Sequence, residues 1–289
     1  MKIVFLLFTL IFITNASAGE LIDKTISVKS LEHLLINNLR GDVEVIGWNK
    51  EEIKIQGELD DSALGLKIKD KGHKLYIKVK MKGDSHLGDG SDLKIFMPSK
   101  TSVWFKGVDT SFSFNNLKSG IEGRTINGDL IIQEAQQKVN VSTVSGDISI
   151  KDSNGVLSIE SVTGTVNFSG EYSKAYAKSM SGEIFAKIDN IEILKTENVS
   201  GKTFIEGKLQ EDAYIKLTSV SGDIKYKTVG ELNAACKLES QFGGKIKNKI
   251  TKDLPEKSMM QQQKLNFVSG DGSGKLIINT VTGSVAIEE

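Results

Sequence analysis

The sequence predicts an all-β protein, a repetitive β-solenoid with two short strands per coil. Three observations carry this reading: a motif of an apolar residue, a small polar residue and Gly that recurs along the chain, alternation of apolar and polar residues with period two on both sides of it, and no long stretch with the 3.6-residue period of a helix. The motif stands at Ile126-Asn127-Gly128, Val144-Ser145-Gly146, Val162-Thr163-Gly164, Met180-Ser181-Gly182, Val199-Ser200-Gly201, Val220-Ser221-Gly222 and Val281-Thr282-Gly283. From Gly128 to Gly222 the glycines fall 18, 18, 18, 19 and 21 residues apart. Leu39-Arg40-Gly41 is an early outlier, and Gln241-Phe242-Gly243-Gly244 carries one extra residue.

Each element follows from this frame. Three and five residues before the anchor, apolar side chains recur, as in Val139/Val141, Leu157/Ile159 and Ile215/Leu217; four and six after it come Ile148/Ile150, Val166/Phe168 and Ile224/Tyr226. Period two places each set on one buried face, so a strand is expected on either side of the turn. The residue just before the anchor is Asn38, Thr125, Thr143, Ser161, Ser179, Asn198, Ser219 or Thr280. By parity it shares the inward face, where a stacked row of hydroxyls and amides can hydrogen-bond to neighbouring backbone. The anchors themselves are expected to lie inward, so that Val162→Asp should harm the fold far more than Asp147→Ala. Face parity is also compatible with a stacked β-hairpin meander, in which each Ser-Gly or Asn-Gly is a two-residue turn. Recurrence of one residue type at one repeat position favours the solenoid, because stacking rewards it.

The N-terminus reads as an export signal. Lys2 is followed by an apolar run from Ile3 to Ile13 and by Ala16-Ser17-Ala18, so residues 1–18 are expected to be a signal peptide cleaved before Gly19. That run is shorter than a membrane span requires, and no later stretch is apolar enough for one. Residues 19–100 are expected to form a β cap or opening coils, and residues 101–289 the repeat array, with a polar excursion near 251–264 around Pro255. Residues 82–92 read as a loop.

Composition narrows the function. Lys plus Arg and Asp plus Glu each number 37, so the net charge is zero and no nucleic-acid partner is expected. Cys236 is the only cysteine, excludes an internal disulfide, and sits among small residues as a buried thiol. Acids follow several repeat glycines: Asp42, Asp129, Asp147, Glu183 and Asp223. A calcium roll repeats a glycine-rich motif every nine residues, whereas here Thr165, Lys202 and Lys245 interrupt a single acid per coil, so these acids read as turn residues. Of His33, His73 and His86, only His86 has acids close by, at Asp84, Asp89 and Asp92, and a polar turn is expected there rather than a metal site. The serines lack histidine partners for nucleophilic work. No catalytic residue, cofactor or metal is expected.

With its Val-Ser-Gly-Asp-Ile unit, the early Leu39-Arg40-Gly41-Asp42-Val43 and the Leu93-Lys94-Ile95-Phe96-Met97-Pro98 strand, the chain resembles the bacterial "putative-adhesin" family of β-strand-repeat proteins, a domain of unknown function, over roughly residues 24 to 289. The resemblance implies a non-enzymatic exported protein, an adhesin or envelope-surface module binding an unidentified protein or polysaccharide. A periplasmic scaffold and a polysaccharide-active β-helix enzyme are the alternatives. Departures from the family pattern are Lys202, Lys245, the Gly243-Gly244 insertion and the excursion near Pro255.

Overall fold

A computed structural model describes residues 19–82, 88–259 and 261–289. The segment read as a signal peptide, and His86 with residues 83–87 of its loop, lie outside the described residues. Two long ladders of strands face each other across a core one side chain deep on each side. The first ladder holds the strand that precedes each Gly turn, the second the strand that follows it. Lys138–Ser145, for example, lies parallel to residues 156–161, with Val139 opposite Leu157 and Val141 opposite Ile159. Ile148, Val166, Ile184, Thr203, Ile224 and Val285 pair in succession along the second ladder. Strands flanking one turn thus never pair with each other, which excludes the hairpin meander and leaves a β-solenoid of two strands per coil.

Apolar residues fill the interior at the positions that alternation dictates: Leu34, Ile36, Val43, Val45, Leu157, Ile159, Ile224 and Tyr226 are all buried. Size is balanced between rungs. Phe105 packs at 4.6 and 4.9 Å from the rings of Phe112 and Phe114, and its neighbour on the next rung is Gly123, where any Cβ would stand 2.5 Å from the Phe105 ring. The second corner of the coil has its own signature. Asn116, Glu134, Asp152, Asn190 and Asp212 adopt left-handed backbone with φ between 50° and 57°, a region where Asn and Asp are enriched because their short polar side chains bond locally.

Rungs at both ends of the stack lie out of chain order. Next to the rung built from Ser102–Lys106 and Asp109–Asn115 lies His33–Asn37 with Arg40–Trp48, and only beyond that lies Lys74–Met81 with Asp92–Pro98. At the other end Gly274–Thr280 with Val285–Glu288 is inserted between residues 214–228 and the rung of Ala234–Ser240 and Ile246–Asn248. Antiparallel strands then close most of the edges. Ala63–Asp70 covers Lys74–Met81, Glu52–Glu58 covers Asp92–Pro98 and is covered by Leu21–Ser27, and Gln263–Ser269 covers Ala234–Ser240. The short strand Ile246–Asn248, which no antiparallel strand among the described residues covers, holds Lys247 and is flanked by Lys245 and Lys249, a composition that discourages strand addition. Between these elements residues 251–259 run over the surface, with Leu254 84% exposed.

The expectation that the anchors point inward is overturned. Val162 is 37% exposed, and Ile126, Val144, Met180, Val199 and Val220 are exposed likewise. Parity is the reason: Ser161, Ile159 and Leu157 face the core, so the next residue after Ser161 must face out.

Candidate ligand-binding surface

Four columns run down the first corner, and each has a structural task. Apart from Ser161, whose hydroxyl has no partner among the described residues, the buried hydroxyls and amides of this column bond to turn backbone: Thr125 Oγ1 donates to the Thr110 carbonyl at 2.8 Å, Asn198 Nδ2 to that of Gly182 at 2.9 Å, and Ser240 Oγ to that of Gly283 at 2.9 Å. Ser179 and Ser219 Oγ instead accept from the Gly182 and Gly222 amides. The anchors form an outward apolar column. The glycines follow, spaced so closely that a Cβ on Gly182 would lie 1.9 Å from the Gly164 carbonyl oxygen and one on Gly222 1.8 Å from that of Gly201. The acids complete the set: Asp129 Oδ1 accepts the Asp147 amide at 2.8 Å, Asp147 Oδ1 the Thr165 amide at 2.7 Å, and Asp223 Oδ1 the Ser284 amide at 2.7 Å. These carboxylates are therefore occupied with the ladder, and among the described residues no group of His, Cys, Asp and Glu is arranged to hold a metal ion.

The other residues singled out by type are scattered. His33 stacks on Trp104 with ring centroids 4.5 Å apart. His73 Nδ1 lies 3.5 Å from Glu32 on the surface. Cys236 is buried and unpaired, and burial pushes its thiol up to about 12, so it is inert while the fold is intact. One ion pair that sequence reasoning missed joins Arg40 Nε to Asp60 Oδ2 at 2.5 Å, with the Asp60 side chain fully buried. Asp60 also accepts the Ser62 and Gly90 amides at 2.7 and 3.1 Å. The Arg40 guanidinium, followed by those amides, holds the Asp60 carboxyl below the usual aspartate range in spite of burial. The pair pins the first Gly turn to the cap and to the loop that enters Asp92–Pro98.

The outer face of the first ladder carries a repeated pairing of rings and lysines. Tyr76, Trp104, Tyr176 and Tyr214 each stand two residues before a lysine on the same strand, at Lys78, Lys106, Lys178 and Lys216. Strand parity places ring and ammonium side by side on that face. Other lysines lie over the rings: Lys71 Nζ is 5.4 Å from the Tyr76 centroid, Lys74 5.1 Å from Trp104, and Lys195 5.6 and 5.8 Å from Tyr176 and Tyr214. The repeated aromatic-x-Lys pattern is legible in the sequence, but it lies outside the glycine motif that marks the coils.

Comparison with known proteins places this geometry in a wider group. Residues 31–288 match the family model described as Toastrack DUF4097. Among solved structures, one from Parabacteroides distasonis called a "putative adhesin" shares 13% identity, covers 94% of this chain and 98% of its own, and superposes with a TM-score of 0.53, which shows a common fold. A second "putative adhesin", from Bacteroides fragilis, shares 16% identity over 94% of this chain and 98% of its own at a TM-score of 0.46. A Parabacteroides distasonis structure called a "putative lipid binding protein" shares 13% identity over 93% and 96% at 0.40. A search of curated proteins finds no match.

Proposed function

This chain belongs to the Toastrack family, and on that footing we propose that it is an exported, non-enzymatic binding module that holds an envelope or surface ligand on the outer face of its first ladder. Residues 1–18 serve in this reading as the export signal, with Gly19 the first mature residue, residues 19–100 as opening coils and cap, and 101–289 as the array. The observation that carries it is the set of partly exposed aromatic-lysine pairs on one face of a continuously hydrogen-bonded ladder. Most polar side chains of the corner are already committed: Thr143, Ser240 and Thr280 hydroxyls donate to glycine carbonyls, Ser179 and Ser219 hydroxyls accept glycine amides, and Asp129 and Asp147 accept turn amides. A face of this kind suits binding, in which rigidity limits the ordering entropy lost on contact. The adhesin names of the structural relatives agree with it. Among the described residues no helix is long and apolar enough to cross a membrane.

Cell fractionation combined with surface labelling of intact cells tests the proposal. The expected result is a protein beginning at Gly19, recovered from the envelope or the cell surface. Recovery from the cytoplasm with Met1 in place would overturn it.

A further inference from the structure

At the N-terminal end of that face, we propose a binding site for an acidic polysaccharide, a chain of sugars bearing carboxylates at close intervals. The inference rests on the surface-binding reading above and adds the place and the ligand class. A shallow cavity of about 500 Å³ opens there, lined by Lys67, Lys69, Lys71, Lys78 and Lys106 around the rings of Tyr76 and Trp104, with no acidic side chain in its lining. In a chain with equal numbers of acidic and basic residues this is a marked segregation of charge. None of these lysines makes an ion pair among the described residues. Lys67 and Lys69 sit on the edge strand Ala63–Asp70, where lysines guard against strand addition. That role does not extend to Tyr76, Lys78, Trp104 or Lys106, which lie on interior rungs.

Spacing points to a polymer. Tyr76 pairs with Leu35 and Leu35 with Trp104, while Lys78 pairs with Asn37 and Asn37 with Lys106. The two ring-lysine units are therefore identical in layout and two strands apart, about 10 Å at the usual strand spacing, which is about the length of a disaccharide. Trp104, stacked on His33 but still 36% exposed, and the half-buried Tyr76 offer apolar ring surface for the C–H groups of a sugar, and each lysine a charge for its carboxylate. Lys71 and Lys74 already lie over the two rings and can turn toward an arriving anion. Leu35, between the units, is only half-buried and keeps the floor apolar. A membrane surface would call for several strongly exposed apolar side chains, whereas the lining has one, Trp104 at 36%, beside five lysines.

Calorimetric titration of the mature protein with polygalacturonate at low salt, beside neutral dextran and phosphatidylglycerol vesicles, tests the site. The expected result is binding to polygalacturonate, weakened by added salt as the charges are screened, with none to dextran. The double variant K78E/K106E, on two exposed side chains, should weaken binding by about tenfold or more. The variant K252E/K257E, with the same charge change in the exposed excursion, should alter it by less than about threefold, because screening limits its reach. Circular dichroism verifies that both remain folded. Absence of polygalacturonate binding, an equal loss in both variants, or binding to vesicles alone would each overturn the proposal. Those outcomes leave export and surface location standing, whereas a cytoplasmic location would remove that reading without touching the titration.

Discussion

The glycine column makes a strong energetic demand on the chain, and Gly182→Ala tests it. Gly182 has ordinary backbone angles, so left-handed strain plays no part; the constraint is distance alone. A Cβ there would stand 1.9 Å from the Gly164 carbonyl oxygen, whereas ordinary contact begins near 3.4 Å, so the two rungs must part by about 1.5 Å at this corner. The ladder bonds across that gap, from the Ser181 amide to the Val162 carbonyl and from the Val166 amide to the Glu183 carbonyl, are each 2.9 Å long. Parting the rungs carries them beyond hydrogen-bond range. Two lost bonds cost about 2 kcal/mol, and the strain of overpacking adds about 1–3 kcal/mol, giving a destabilisation of about 3–5 kcal/mol. Gly120→Ala is the control, because a Cβ there meets nothing nearer than 3.6 Å and its backbone is not left-handed. It should be neutral or stabilising by up to about 1 kcal/mol through the unfolded chain. Urea midpoints of the two variants decide the matter, with hydrogen exchange to locate the damage around rungs 166–205, since a stacked array can open locally. Equal midpoints would refute the claim that backbone approach, and not turn propensity, puts glycine in the motif.

The corrected register predicts that Val162→Asp changes stability by no more than about 1 kcal/mol, whereas Ile159→Asp, at a site 1% exposed, costs several kcal/mol and broadens the urea transition. Asp60→Asn should cost about 3 kcal/mol at neutral pH, because the largely buried Arg40 loses its hydrogen-bonded carboxylate. The pH dependence has a definite sign. The folded-state pKa of Asp60 is depressed, so its contribution is present above the ordinary aspartate pKa of about 3.9 and fades as pH falls through the lower folded value; thermal melts of Asp60→Asn and the parent should converge in that acid window. Deleting residues 274–289 should unfold far more than the last rung, because it removes the layer between residues 214–228 and 234–248. Loss of Cys236 protection toward a thiol reagent under native conditions is the readout, and continued protection would argue against the inserted order.

Much of the coil was legible because its signals are local. Alternation, the 18-residue step and the inward row from Thr125 to Thr280 depend only on parity along a strand, and the burial of Thr125, Thr143, Ser161, Ser179, Asn198, Ser219 and Thr280 follows from it. The misplacement of Val162 arose from giving apolar character priority over that same parity: an apolar residue at a stacked corner finds cover from the like residue on the next rung and can stay half-exposed.

By itself, then, the sequence determined an all-β repeat, its period, its turn chemistry and which side chains fill the core, since each is dictated by residues close together along the chain. Only the tertiary structure decided the order of the rungs. Nearly equivalent rungs are interchangeable neighbours, so local pattern cannot say that His33–Asn37 enters between Lys74–Met81 and Ser102–Lys106, or that Gly274–Thr280 enters before Ala234–Ser240; the short connections 99–101 and 229–233 each step over one rung, the first over a rung that precedes it in the chain and the second over one that follows. The proposed site depends on that choice. Tyr76 and Trp104 stand two strands apart only because the segment carrying Leu35 lies between them, and stacking in simple chain order would have made them adjacent and closed the interval that a disaccharide unit requires.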